Sequence, residues 1–254
     1  MSHGRQAAHH VLTRRAQMTD NDLEEASKLV AALTQSQRLQ LFRLLSREFP
    51  IHPLEEKLNT SAEIILEAIA RSSDLTLRGV RGVIAEAAFA TDVVPGLQGW
   101  QTIEIEGNAS YDFLLRDSVG DVRVQVKLQR QMAQQPMWSE EAPRRCGLPA
   151  GFYVVETQRT RGGKTASRAK TRPYRFDEFD VLAVSLHPST RDWSTFAFTL
   201  CGWLVPDAVD PQCIQTYQAV PKVPDEYHWT SHLLNAVGWL RSGERRPLPF
   251  TRPS

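Results

Sequence analysis

Two segments near the middle of the chain, Tyr111-Asp112-Phe113-Leu114-Leu115-Arg116 and Val122-Arg123-Val124-Gln125-Val126-Lys127-Leu128, alternate with a period of two and flank the turn sequence Asp117-Ser118-Val119-Gly120-Asp121. They are expected to pair as an antiparallel hairpin. Folded there, Tyr111 faces Val126, Phe113 faces Val124 and Leu115 faces Val122, which makes one face apolar. The other face sets Asp112 opposite Gln125, Ser110 opposite Lys127 and Leu114 opposite Arg123, so Asp112, Gln125 and Lys127 share a side.

An acid, an amide oxygen and an ammonium converging at the end of a half-buried hairpin suit a metal and a phosphate. Carboxylate and carbonyl oxygens are hard ligands for Mg²⁺, which takes one or two carboxylates and keeps several waters. A lysine beside them can orient or deprotonate an attacking water, or offset charge developing on a phosphoryl oxygen. The competing reading is an amphipathic hairpin with a solvated polar face, a pattern found on most antiparallel sheets.

The chain has 254 residues, 41% hydrophobic and 23% charged, which fits one large globular domain or a catalytic core with helical additions. A formal net charge of +1 gives no global signature for nucleic acid, so any such surface must arise by local clustering. Cys146, Cys201 and Cys213 form no C-x-x-C pair and no zinc spacing, the usage of reduced thiols in a cytoplasm. No apolar run approaches the length of a membrane span, and MSHGRQAAHHVLTRR lacks the apolar core of a signal peptide. A cytoplasmic protein without membrane contact is expected.

Residues 1–18 are expected to be a disordered tail. Leu23, Leu29, Val30, Leu33, Leu39, Phe42 and Leu45 recur at helical spacing over 20–48, with a break near Thr34-Gln35-Ser36. Further helices are expected over 61–71, from Leu77 to about Phe89, and over 231–241. From Trp100 the period changes to two: strands are expected over 101–106, in the hairpin, and over 152–156, 179–186 and 193–200. Between Gln158 and Arg172 the sequence carries Arg159, Arg161, Lys164, Arg168, Lys170 and Arg172 with no acid and two adjacent glycines.

A helix bearing Arg81-Gly82-Val83-Ile84-Ala85-Glu86, a strand, Tyr111-Asp112, and then Gln125-Val126-Lys127 thirteen residues after Asp112 together resemble the PD-(D/E)xK nuclease superfamily. The resemblance spans roughly residues 76 to 200. Val155-Glu156-Thr157-Gln158-Arg159 through Gly163, Arg172-Pro173-Tyr174-Arg175-Phe176 and Phe179-Asp180-Val181-Leu182-Ala183-Val184 are similar to type II restriction endonucleases of that superfamily. It implies an α/β (α+β) restriction-endonuclease-like core, a central mixed β-sheet flanked by helices, over 73–204. A helical region at 19–72 would precede it and a C-terminal extension with one helix, 205–254, would follow.

The resemblance further implies that Asp112 binds Mg²⁺ and that Lys127 sits beside the attacking water. Gln125 stands where a second acid is usual; Gln occupies that place in some transposase-subunit and modification-dependent nucleases of the superfamily. The lost charge weakens Mg²⁺ binding unless another carboxylate compensates, and Glu86 matches the helix position that often supplies one. Alone, Glu86 reads as a helix-surface glutamate, except that charges within apolar stretches tend to need partners. Glu156 is either a fourth polar group of the site or a solvated strand end.

The basic loop is the candidate contact for DNA phosphates, with Arg159, Arg161 and Lys164 alternatively reaching guanine edges. A solvated surface loop is the plainer explanation. The expected function is Mg²⁺-dependent, sequence-specific cleavage of double-stranded DNA, as in a type II restriction enzyme. A homodimer is expected because both strands must be cut symmetrically. The alternatives are a non-catalytic DNA-binding or assembly protein on this fold, and a structure-selective repair or transposition nuclease.

Overall fold

The computed structural model describes residues 20–48, 52–107, 109–159 and 173–250. The expected tail, and Arg161, Lys164, Arg168, Lys170 and Arg172, lie outside the described residues. The chain forms two compact units that part between Ser72 and Ser73.

The first unit is helical. Helix α1 (Asp20–Ala32) and helix α2 (Gln35–Glu48) meet at the expected break. There the Gln37 N–H donates to Thr34 Oγ1 (3.3 Å) and the Thr34 N–H donates to Gln37 Oε1 (2.9 Å), a reciprocal cap that starts α2 afresh. A short helix α3 (Leu54–Leu58) lies beyond the proline-marked stretch, where no helix was expected. Helix α4 (Ala62–Ala70) is capped by Ser61, whose Oγ accepts the Ile64 N–H. No described side chain of α1 to α4 is fully buried.

The second unit begins with helix α5 (Asp74–Ala88), which starts three residues before Leu77 because Ser73 Oγ accepts the Thr76 N–H (3.3 Å). A wider π-type turn, Phe89–Val93, ends it. Strands β1 (Gln101–Ile103), β2 (Phe113–Arg116) and β3 (Asp121–Leu128) form an antiparallel meander. A tight hairpin of β4 (Gln131–Met132) and β5 (Gln135–Pro136) follows. Its turn residues Ala133 and Gln134 hold positive φ (47° and 62°), a conformation that neither residue type signals. Strand β6 (Tyr153–Glu156), strand β7 (Val181–Ser185), a single helical turn α6 (His187–Thr190), strand β8 (Phe196–Leu200), strand β9 (Tyr217–Val220) and helix α7 (Leu233–Ser242) complete the unit.

The central sheet has five strands in the order β1-β2-β3-β7-β8, mixed because β3 and β7 run parallel while the other neighbours are antiparallel. Helices flank it, so the expected α/β architecture with a central mixed sheet is the one observed. Strand β6 instead pairs with β9 in a separate two-stranded sheet.

Strand β7 is buried along its whole length and reads as an apolar run, Val181 to Val184, closed by a buried Ser185, as suits a strand covered on both faces. Val181 and Ala183 join Val122, Val124, Val126, Phe196 and Phe198 in a core shared with Ala85 of α5, Phe89 of the turn that ends it, and Leu233, Ala236 and Val237 of α7. Leu182 and Val184 face a second core with Val155, Val220, Phe179, Tyr174 and Trp229. Because Gln125 is in register with Leu182 and Lys127 with Val184, these two polar residues of β3 lie on the side of the second core.

Candidate active site

The hairpin register is the expected one: Phe113 opposes Val124, Leu114 opposes Arg123, Leu115 opposes Val122 and Arg116 opposes Asp121. Its turn is closed by Asp117, whose Oδ1 accepts the Val119 and Gly120 N–H groups (2.9 and 3.1 Å). Arg241 of α7 donates to both Asp117 oxygens (2.7 and 2.9 Å) and holds that carboxyl well below the usual carboxylate range.

At the opposite end the chain departs from the expected pairing. Strand β2 begins at Phe113, not Tyr111. The Asp112 N–H donates to the Val124 carbonyl (3.0 Å), one step out of the ladder's register. Here the Asp112 carboxylate, rather than a backbone carbonyl, accepts the Val126 N–H (2.8 Å). This kink also turns Tyr111 away from Phe113: Tyr111 packs against the second core and Phe113 against the first. The expectation that Tyr111 shares the apolar face is therefore corrected.

The departure brings Asp112 to Gln125, whose side chain is buried. The Gln125 Nε2 donates to Asp112 Oδ2 and also to the Val126 carbonyl (3.1 Å). With two acceptors on that side, the amide presents nitrogen to Asp112, and its carbonyl oxygen is turned away. Half-buried Lys127 lies two residues on, with Nζ 5.3 Å from the centre of the Tyr174 ring.

Glu86, on the last turns of α5, belongs to the same cluster. Burial first, and then the negative charge of Asp112, raise its carboxyl from 4.5 to about 7, against the opposing pull of Lys127. Asp112 is likewise raised by burial, opposed by Lys127 and by the Val126 N–H. Burial lowers Lys127, while Asp112, Glu86 and Glu156 hold its charge on. Glu156 is half-buried; Arg130 pairs with one of its oxygens and Gln158 donates to the other. It is an ion-paired strand end that adds field at Lys127.

Two residues missed in the sequence complete the cluster. Tyr174 is buried; burial, followed by the charge of Asp112, pushes its phenol above the ordinary range, Glu178 and Glu86 adding to the shift and Arg159 opposing it. Glu178 receives a hydrogen bond from Arg159 Nη2, which also donates to Ser110 Oγ (2.9 Å), and the Arg159 Cζ lies 5.5 Å from the Tyr174 ring centre. A bridge between Gln158 and Pro173 closes the neck of the basic segment and sets Arg159 and Tyr174 beside each other. Neither Tyr174 nor Glu178 carries a role in the sequence; Tyr174, one residue past the proline that follows the cationic run, is the one available hint.

Trp138 packs on Tyr153 (ring centres 4.7 Å apart), with Lys222 Nζ 4.4 Å from its ring centre. His187, at the start of α6, stacks on Trp193 with ring centres 3.8 Å apart.

Two carboxylates forced together in a half-buried place, each held above its ordinary range, fit a divalent cation, whose charge relieves their desolvation and mutual repulsion. Among the described residues, no group of three or more His, Cys, Asp or Glu side chains forms a metal cage. Amide, backbone and water oxygens are suitable further ligands for such an ion.

No family model matches the chain, and no curated protein matches it. Among solved structures, a bacterial homing endonuclease is similar over 67% of this chain and 96% of that one, at 19% identity and a TM-score of 0.36. So slight a likeness says nothing of function.

Proposed function

We propose that this chain is a Mg²⁺-dependent endonuclease that hydrolyses phosphodiester bonds of double-stranded DNA in the cytoplasm, with the sequence specificity of a type II restriction enzyme. The observation that carries the reading is the convergence of Glu86, Asp112 and Lys127 in one half-buried cluster, each carboxyl raised and the amine lowered. Perturbed acids and bases gathered in this way are the usual mark of a reactive site.

Bound Mg²⁺ would polarise a phosphoryl oxygen and acidify a coordinated water. Asp112 and Glu86 are assigned to hold it; the Gln125 carbonyl oxygen would join them as a third ligand by turning its amide over, since here its nitrogen faces Asp112. Gln125 and the Val126 N–H fix one oxygen of Asp112, leaving the other to the ion. Lys127, lowered by burial, takes the proton of the attacking water or stabilises charge on the phosphoryl oxygens. Arg159, Arg161, Lys164, Arg168, Lys170 and Arg172 are assigned to DNA, the last five on their sequence alone.

The partner in cutting both strands is a second copy of the chain. Its interface is assigned to the N-terminal helices or to the segment 229–240; α7 buries Leu233, Ala236 and Val237 in the core, which favours the N-terminal helices. These helices expose Leu29, Leu44, Ile64 and Leu66. None of the described helices is long and apolar enough to cross a membrane.

The test is incubation of purified protein with plasmid and phage DNA in Mg²⁺, followed by mapping of the ends. Discrete bands with 5′-phosphates are expected, and Asp112→Asn and Lys127→Ala should each lower the rate about 10³-fold or more. A single cut confined to branched substrates would identify a structure-selective nuclease instead. Tight duplex binding with no cleavage in any divalent metal would overturn the reading in favour of a non-catalytic DNA-binding protein. One observation favours that second reading: Gln125 replaces an acid and turns its nitrogen to Asp112.

A further inference from the structure

We propose that Arg159 is a second cation of the active site, which exchanges the Glu178 carboxylate for a non-bridging oxygen of the DNA phosphate being cut. The inference rests on the DNA-hydrolase reading and adds to it a residue in contact with the reacting group.

Arg159 is placed for this role by its neighbours. Its Nη2 is bonded to Ser110, two residues before Asp112, and to Glu178, and its guanidinium lies against the same Tyr174 ring that Lys127 approaches. A single ring thus spaces two cations of different chemistry: an ammonium on the strand of the site and a guanidinium at its margin. The Arg159 side chain keeps 32% of its surface accessible and Glu178 20%, so a phosphate can reach the pair.

Mg²⁺ would offset the Glu86 and Asp112 carboxylates, which leaves the charge of the phosphodiester itself to be met by the cations around Tyr174. Of these, arginine stays charged at any working pH. A carboxylate oxygen and a non-bridging phosphate oxygen accept from a guanidinium N–H in the same way, so Glu178 keeps Arg159 oriented until the substrate arrives. Glu178 is itself anchored independently, because its other oxygen accepts the Arg175 N–H (2.9 Å). It therefore stays in place when Arg159 leaves it. No covalent step is assigned to Arg159; it exchanges one hydrogen-bonded anion for another.

The experiment uses the full-length protein and a duplex oligonucleotide carrying a mapped cut site. Binding is followed by fluorescence anisotropy in Ca²⁺ and cleavage by single-turnover kinetics in Mg²⁺. Arg159→Ala should lower the single-turnover rate about 10²-fold while weakening binding far less, and Arg159→Lys should recover part of that rate. Glu178→Gln retains the turn through its amide oxygen and releases Arg159, so binding should tighten, up to about fivefold for a partly exposed pair. Cleavage by Arg159→Ala within twofold of wild type would overturn the inference alone. So would weaker binding by Glu178→Gln, which would mark the pair as structural. If Arg159→Ala melts well below wild type, Arg159→Lys and Glu178→Gln decide the matter. A wild-type protein that neither binds nor cuts duplex DNA would overturn the DNA-hydrolase reading, and the inference with it. A wild type that binds without cutting overturns hydrolysis, and Glu178→Gln binding then tests the exchange on its own.

Discussion

Gln125 meets Asp112 with its amide nitrogen, and the same nitrogen reaches the Val126 carbonyl, so in this structure the residue restrains the aspartate as a donor. The arrangement is worth most when Asp112 is ionised. It links the occupancy of the site to the stability of the chain.

Gln125→Glu replaces that donor with a third carboxylate among buried neighbours. Without divalent metal at pH 8, the variant should lose about 1–3 kcal/mol, the cost of a buried polar group without its partner. Added Mg²⁺ should recover more stability in the variant than in wild type, because a carboxylate binds the ion more strongly than an amide. Thermal melts with and without Mg²⁺ check both statements. Equal Mg²⁺ shifts in the two proteins would remove Gln125 from the ligand set.

Glu86 makes stability fall as pH rises. Its folded value of about 7 lies above the ordinary 4.5, so the folded state binds the proton more tightly than the unfolded state does. The destabilisation is absent below about pH 4.5, grows through the window up to about 7, and is complete above it. Glu86→Gln should therefore stabilise the metal-free protein at pH 8, by about 1–2 kcal/mol once solvent screening of this partly exposed group is allowed for, with no gain at pH 4.5. Urea melts at the two pH values measure the difference, and an equal gain at both would show that ionisation is not its cause.

The tip of the hairpin responds to acid in the opposite sense. Asp117 is held below the carboxylate range, so its pairing with Arg241 contributes fully above the ordinary value near 3.8 and is lost as pH falls through the folded value. Arg241→Ala should lower the melting temperature at pH 7, and the deficit should shrink as the pH is taken well below 3.8. A deficit independent of pH would place the effect in lost contact with the Trp100 ring, 5.2 Å from the guanidinium.

Phe89 has no exposed surface and lies 4.7 Å from the Phe113 ring, 5.7 Å from Phe196 and 6.4 Å from Phe198. It ties the end of α5, and with it Glu86, to the sheet. Phe89→Ala should cost about 3–5 kcal/mol, measured by denaturant unfolding. Phe89→Leu should cost clearly less and keep Glu86 in place.

The hairpin was legible because period-two alternation and a turn sequence are local properties, and Leu115 against Val122 follows from them. The kink at Asp112 was not: nothing local shows that a carboxylate will take over the Val126 N–H. Asp112, Gln125 and Lys127 could be grouped from register alone. Tyr174 and Glu178 could not, because they reach the cluster through the parallel pairing of β3 with β7 and the bridge at Gln158–Pro173. Strand β6 was visible as a strand, but its partner β9 lies sixty-odd residues downstream in a proline-rich stretch that gives no alternation to read.

The salt bridge between Asp117 and Arg241 joins groups 124 residues apart in the chain. On the ribosome, β2 and β3 emerge long before α7 exists, so the nascent hairpin must wait with its tip unfastened. That clasp closes only after Arg241 has been made, so the tip of the strand pair is fastened by a residue synthesised near the end of the second unit.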